Sequence, residues 1–228
     1  MFWQEEDTEK NFEVPPDVVD VLFALDCKRL PVDHAHALSR AIAGVLPWFD
    51  EEPGIGLHTI HVAGSQNGWE RPEHGTGIHL MVSRRTKLAI RVPRERLDHL
   101  IQGLRGLTLD VAGCPLTLGE GKPRPLSKET TLFSRFVVSQ VEDSEETFLA
   151  RTAEELARLD IWIRKALCGK TRALAIPGGA LQTRSLLLAD LSPEESIRLQ
   201  QRGLGPHRAM GCGIFIPHKG IDSVRKGG

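Results

Sequence analysis

The 228-residue sequence predicts an α+β fold in which one order of elements, strand, helix, strand, strand, helix, strand, is written twice. Two observations predict it. Short branched apolar runs alternate with segments whose apolar residues recur every three or four positions, the patterns of strands and amphipathic helices. Residues 119–130, with Pro123, Pro125 and several charges, then separate two stretches that each carry the full order. A hydrophobic share of 40% with 26% charged residues is ordinary globular composition and excludes a disordered or fibrous chain.

In the first stretch, residues 18–25 (VVDVLFAL) read as a buried strand, broken by Leu30-Pro31. Asp33 stands where a cap belongs for a helix through Leu38, Ala41, Ile42 and Val45, which Pro47 ends. Residues 54–64 (GIGLHTIHVAG) read as a short strand. Residues 77–82 and 87–92 read as paired strands joined by Ser83-Arg84-Arg85-Thr86. Pro93 opens a second helix with Leu97, Leu100, Ile101 and Leu104 on one face. Strands over 107–111 and 115–118 complete the set.

The second stretch repeats the order. Residues 131–138 (TLFSRFVV) form a strand, and Ser144 caps a helix carrying Phe148, Leu149, Ala153, Leu156 and Leu159. Residues 171–176 and 183–188 form a hairpin around Pro177-Gly178-Gly179. Ser192 and Glu195 make a capping box, Gly203 stands at the helix exit, and residues 213–217 (GIFIP) are the last strand. The order βαββαβ is the ferredoxin-like arrangement. The expectation is two tandem ferredoxin-like domains, 18–118 and 131–221, joined by a linker at 119–130. An acidic tail (1–17), a short C-terminal tail (222–228) and a glycine-rich loop near the C-terminus complete it.

No run approaches 18 apolar residues, so no membrane helix is expected. The opening MFWQEEDTEK lacks the basic-then-apolar pattern of a secretory signal. Cys27, Cys114, Cys168 and Cys212 are far apart, which disfavours a zinc ribbon and a disulfide framework and makes them small core residues. The chain reads as cytoplasmic, with no membrane partner. A net charge of −1 seems to exclude a nucleic-acid partner until the charge is located. The first 20 residues carry −6 of it, so the remaining 208 carry +5. Arg164, Lys165, Lys170 and Arg172 fall within ten residues that hold no acid. A basic surface of this kind fits either plain solvation or a phosphate backbone.

The end of the chain is the most informative part. Gly203, Gly205, Gly211, Gly213 and Gly220 punctuate a helix exit and a strand entry, with His207 and Arg208 among them. Successive N–H groups in such a loop form an anion-binding concavity, and an arginine adds bidentate phosphate contact. An ordinary helix exit followed by an irregular loop has the same composition. The segment is neither a Walker A loop nor a Rossmann fingerprint.

Four segments, LPVDHAHALSRAIAGVLPW, GIGLHTIHVAG, SRRTKLAIRVP and LSPEESIRLQQRGLGPHRAMGCGIFIPHKGI, together resemble the compact Cas-six endoribonucleases that process precursor CRISPR RNA. The resemblance runs from about residue 18 to residue 221. It implies metal-independent cleavage at a repeat stem-loop, without a cofactor. The 2′-hydroxyl attacks the adjacent phosphate, leaving a 5′-hydroxyl and a 2′,3′-cyclic phosphate. It also implies an enzyme that stays on its product as a subunit of a type I effector complex.

That reaction needs one group to take the 2′-OH proton, another to protonate the 5′-oxygen, and cations for the developing charge. Histidine suits both proton roles. By resemblance to the family's G-[ILV]-H motif, His58 is the first candidate, with His61 and His36 behind it. If 54–64 is a strand, positions 58 and 61 face opposite ways and only one reaches RNA. Some related enzymes add a tyrosine, and this chain has none. Arg84, Arg85 and Lys87 at the expected turn, Arg164, Lys165, Lys170 and Arg172 before the second hairpin, and Gly205, His207, Arg208, Gly211 and Gly213 in the loop are the expected RNA contacts. Trp69 is placed to stack on a base or to pack. His34 and His36, two apart, do not share a helix face, so no metal site is expected. Two other functions fit the same sequence: a non-catalytic RNA-hairpin-binding subunit, and a tandem domain binding a small phosphate ligand.

Overall fold

The computed structural model describes residues 12–62 and 79–218. Expectations for the acidic tail before Phe12, for Trp69, for residues 63–64 and 77–78, and for Gly220 lie outside these. The first half contains β1 (Val18–Asp26), β2 (Arg29–Pro31), α1 (Ala35–Ala43), β3 (Gly56–Leu57), β4 (His79–Met81), β5 (Lys87–Pro93), α2 (Leu97–Leu104), β6 (Thr108–Val111) and β7 (Cys114–Pro125). The second contains β8 (Leu132–Val138), α3 (Glu145–Ala157), β9 (Lys165–Ile176), β10 (Gly179–Ala189), α4 (Pro193–Arg202) and β11 (Ile216–Pro217). The result is an α+β fold with antiparallel sheets, ordered β3-β5-β1-β7-β6 and β11-β8-β10-β9, beside a small β2-β4 pair. No helix among the described residues is long and apolar enough to cross a membrane.

Strand alternation places the two cores. Val19, Val21, Phe23 and Leu25 of β1 and Leu88, Ile90 and Val92 of β5 point to one face, where they bury against Leu38 and Ile42 of α1 and Leu100 and Leu104 of α2. In the second sheet Leu132, Leu186 and Leu188 bury against Phe148 and Leu156 of α3 and Leu199 of α4. A third cluster joins the halves: Ala35 of α1 packs with Phe136, Leu174, Met210 and Cys212. Cys27, Cys114 and Cys212 are buried and Cys168 partly so, all four as free thiols.

The caps on the second half are as expected. Ser144 accepts from the Thr147 N–H, and Ser192 and Glu195 form the reciprocal capping box of α4. Four expectations change. The strand pair over 77–92 does not form as a hairpin: both edges of β5 are taken, by β1 and β3, and β4 pairs with β2 instead. Asp33 does not cap α1. His34 holds the cap position, and the Asp33 carboxylate accepts the Ala175 N–H of β9 at 2.7 Å. Residues 119–125 are not linker but the second part of β7, paired with β1. Past Thr117 that strand has lost its β6 neighbour, and such an edge tolerates Pro123 and Pro125. The hairpin of the second sheet begins at Lys165, so Lys165, Lys170 and Arg172 lie in its first strand rather than ahead of it.

Candidate active site

A pocket lies where the first half of the chain meets the second. His58, Thr59 and His61 line it together with Phe133 and Arg135 of β8 and with Gly211, Ile214 and Ile216. β3 ends at Leu57, so the alternation of a strand does not continue, and both His58 and His61 line the same pocket. His34 braces this segment. The Ile60 N–H donates to His34 Nε2 at 3.0 Å, so Nδ1 carries the ring proton and donates to the Pro31 carbonyl at 2.9 Å. His36, in the first turn of α1, is half-buried and is not among the pocket residues.

His58 is only 13% exposed, with Nε2 3.3 Å from Asp20 Oδ1. Burial lowers its pKa below the ordinary histidine value, and the Asp20 carboxylate opposes this while Arg91 and Arg124 reinforce it. The neutral ring therefore dominates at neutral pH. Burial would raise the Asp20 carboxyl, but the Arg91 guanidinium, followed by His58, holds it well below the usual carboxylate range. Asp20 also meets Arg124 at 3.4 Å.

Register extends the site across the first sheet. Directly paired residues of neighbouring strands project to the same face. Arg91, Asp20 and Arg124 thus form one row, Ala89, Leu22 and Lys122 the next, and Lys87 sits opposite Ala24. Lys87, Lys122 and Arg124 are exposed on this face, opposite the one that packs against α1 and α2. Of the expected RNA contacts, Lys87 joins it, while Arg84 and Arg85 stand exposed in the preceding turn.

The other expected contacts divide. Lys170 and Arg172 are exposed on β9. Arg164 instead pairs with Glu195 at 2.5 Å and Lys165 with Asp190 at 2.9 Å. Arg208 is turned inward. Its Nη1 donates to the Pro53 carbonyl at 3.1 Å and its Nη2 to the Gln201 carbonyl at 2.9 Å, joining the two halves of the chain. Burial, with Arg91 and Arg202 nearby, pushes its pKa down to about 10. Gly211 and Gly213 are required by close approach: a Cβ on Gly211 would meet Thr59 at 2.7 Å, and one on Gly213 would meet the Leu204 carbonyl oxygen at 1.8 Å. Gly205 and His207 also have positive φ, 71° and 64°. This segment seats the second half against the pocket segment of the first.

Sequence reasoning missed Asp20, Arg91, Lys122, Arg124, Phe133 and Arg135. One signal was available: VVDVLFAL holds the lone acid Asp20 and KLAIRV the arginine Arg91 between apolar residues, charges of opposite sign inside apolar strands and the pattern of a buried pair. Lys122 and Arg124 were hidden by their prolines. Among the described residues no group of three or more His, Cys, Asp or Glu could hold a metal ion.

This arrangement has the fold of the CRISPR-associated α+β proteins. It is similar to a structure titled "CRISPR associated protein Cas6", with a TM-score of 0.60 at 13% identity, covering 89% of this chain and 100% of that one. It is also similar to one titled "Characterization of a Cas6-related gene from Pyrococcus furiosus", with a TM-score of 0.60 at 14% identity, covering 87% and 97%. The family model described as "Cas6 Crispr" matches residues 19–220. A curated relative from Myxococcus xanthus (strain DK1622), "CRISPR-associated endonuclease Cas6", is 31% identical over 199 residues, 87% of this chain and 81% of the relative. The chain belongs to the Cas6 family.

Proposed function

We propose that the protein is a metal-independent endoribonuclease that binds the stem-loop of a CRISPR repeat and cleaves precursor CRISPR RNA. The observation that carries this reading is a Cas6-family chain with two histidines in one pocket beside exposed Lys87, Lys122 and Arg124. In this reading neutral His58 takes the 2′-OH proton as the 2′-oxygen attacks phosphorus. The P–O5′ bond breaks, and the 5′-oxygen takes a proton from His61. One product ends in a 2′,3′-cyclic phosphate and the other begins with a 5′-hydroxyl. In the same reading Arg135, which lines the pocket, stabilises the added charge on the phosphorane. The absence of tyrosine leaves these groups to act without one.

The same reading divides the chain into two ferredoxin-like units. The strand order β7-β1-β5-β3 within the first sheet supports it, as does β11-β8-β10-β9 in the second. The first unit then ends at Pro125 rather than at Leu118. After cleavage the protein stays on its product as a subunit of a type I effector complex. One observation favours the alternative of a non-catalytic subunit that only holds the hairpin: His58 is mostly buried and turned onto Asp20.

The test is a labelled repeat hairpin incubated with the protein in EDTA. Cleavage to a cyclic-phosphate product supports the enzyme. Tight, repeat-selective binding without cleavage supports the holding subunit, and no selectivity over an unrelated hairpin removes both.

A further inference from the structure

The second sheet carries an apolar row that the described residues leave only partly covered. Ile216, Phe133, Leu187 and Leu167 are register partners across all four strands. Their neighbours Leu132, Leu186 and Leu188 face α3 and α4, so the row lies on the opposite face, which among the described residues α1 covers near Phe136 and Leu174. Leu167 is 57% exposed, and the other three are half-buried. None of the four belongs to the buried clusters.

What surrounds the row is cationic and aromatic. The Arg135 guanidinium lies 5.7 Å from the Phe133 ring centroid. The exposed His218 ring lies 5.7 Å from Phe133 on a plane tilted by 54°. β10 keeps regular alternation, so Thr183 shares the face of Leu187, and its partner Arg172 brings an exposed positive charge to the same surface. Phe133, Arg135 and Ile216 are also pocket residues, so the row begins beside His58 and His61.

We propose that this face is a base-stacking subsite, in which an unpaired nucleotide of the RNA lays its base on Phe133 with Arg135 at its edge. Every base has an apolar face that stacks on an aromatic ring, while its phosphates seek cations. An aromatic in an apolar row beside Arg135, with Arg172, opposite Thr183, four residues further along the same face, matches both halves of a nucleotide. A purely apolar protein partner would leave those charges unused. The inference rests on the RNA reading above and goes beyond it by assigning an unpaired nucleotide, rather than the stem, to Phe133. Stacking there holds the strand next to the histidine pocket, so Phe133 is a positioning residue.

The test uses repeat RNAs with 2-aminopurine at each unpaired position in turn, and wild type, Phe133→Leu and Phe133→Trp. In wild type, one position loses its fluorescence on binding. Phe133→Leu restores that signal and weakens affinity about 5- to 150-fold, the range of a lost stack. Phe133→Trp keeps the quenching, which excludes a folding defect as the cause. If wild type binds the repeat and no position responds to Phe133→Leu, the subsite is wrong and the RNA reading stands. If wild type binds no repeat RNA, both fall.

Discussion

Arg91 and Asp20 meet across β5 and β1 through two hydrogen bonds, Nε to Oδ1 at 2.8 Å and Nη2 to Oδ2 at 3.2 Å. Arg91 is wholly buried, and its Nη1 continues to the Gln200 and Phe215 carbonyls at 2.7 and 3.0 Å. A single guanidinium therefore fixes the carboxylate beside His58 and ties the first sheet to the end of α4 and the approach to β11. Replacing Arg91 with leucine leaves Asp20 charged and buried without its main partner, which costs about 3–5 kcal/mol. Denaturant unfolding reads this directly, and a loss below about 1 kcal/mol would mean the pair is more solvated than its burial implies.

Acid should act first through His58. Its folded pKa lies below the unfolded value of about 6.5, so the unfolded chain binds the extra proton and stability falls as pH drops through that value. Asp20 has the same sign in a lower window: its folded pKa is depressed, so its contribution is complete above about pH 4 and is lost as pH falls below that. Unfolding measured from pH 7.5 to 5.5 should show a decline in wild type that His58→Gln flattens. An equal decline in both would remove His58 as its source.

The two loop glycines should differ. Gly213→Ala puts a Cβ 1.8 Å from the Leu204 carbonyl oxygen at φ 64°, so both backbone strain and a clash oppose it. Gly205→Ala, at φ 71° with nothing within 4 Å, meets only the left-handed strain of about 1–2 kcal/mol. The unfolding midpoint should fall much further for Gly213→Ala.

Much of the fold was legible because alternation and caps are local signals. Ser144, Ser192 with Glu195, and the apolar faces of α1, α2 and α3 follow from residues a few positions apart. What the sequence hid were decisions made at a distance. Asp33 looks like a cap, yet its carboxylate meets Ala175, 142 positions away. Arg208 looks like a phosphate ligand, but packing turns it onto the carbonyls of Pro53 and Gln201. Asp20 was counted with an acidic tail although it sits in the middle strand of the first sheet. His58 was the residue a local motif could pick, while its carboxylate partner and Phe133 across the pocket required the tertiary structure.

RNA bound along the first sheet makes a salt-dependent prediction. Lys87 and Lys122 are exposed on its face opposite α1 and α2, so Lys87→Gln/Lys122→Gln should weaken binding to any RNA of similar shape. Each lost phosphate contact lowers the slope of log affinity against log salt by about 0.7–0.9. An unchanged slope would move the RNA off this face.

The most direct test of His58 as the general base is single-turnover cleavage of a saturating repeat hairpin in EDTA by wild type and His58→Gln. Glutamine keeps a polar group beside Asp20 but cannot exchange the proton. The expected result is hairpin affinity within about threefold of wild type and a cleavage rate about 10²–10⁴-fold slower, the size of a lost general base. Cleavage by His58→Gln at the wild-type rate would contradict the assignment.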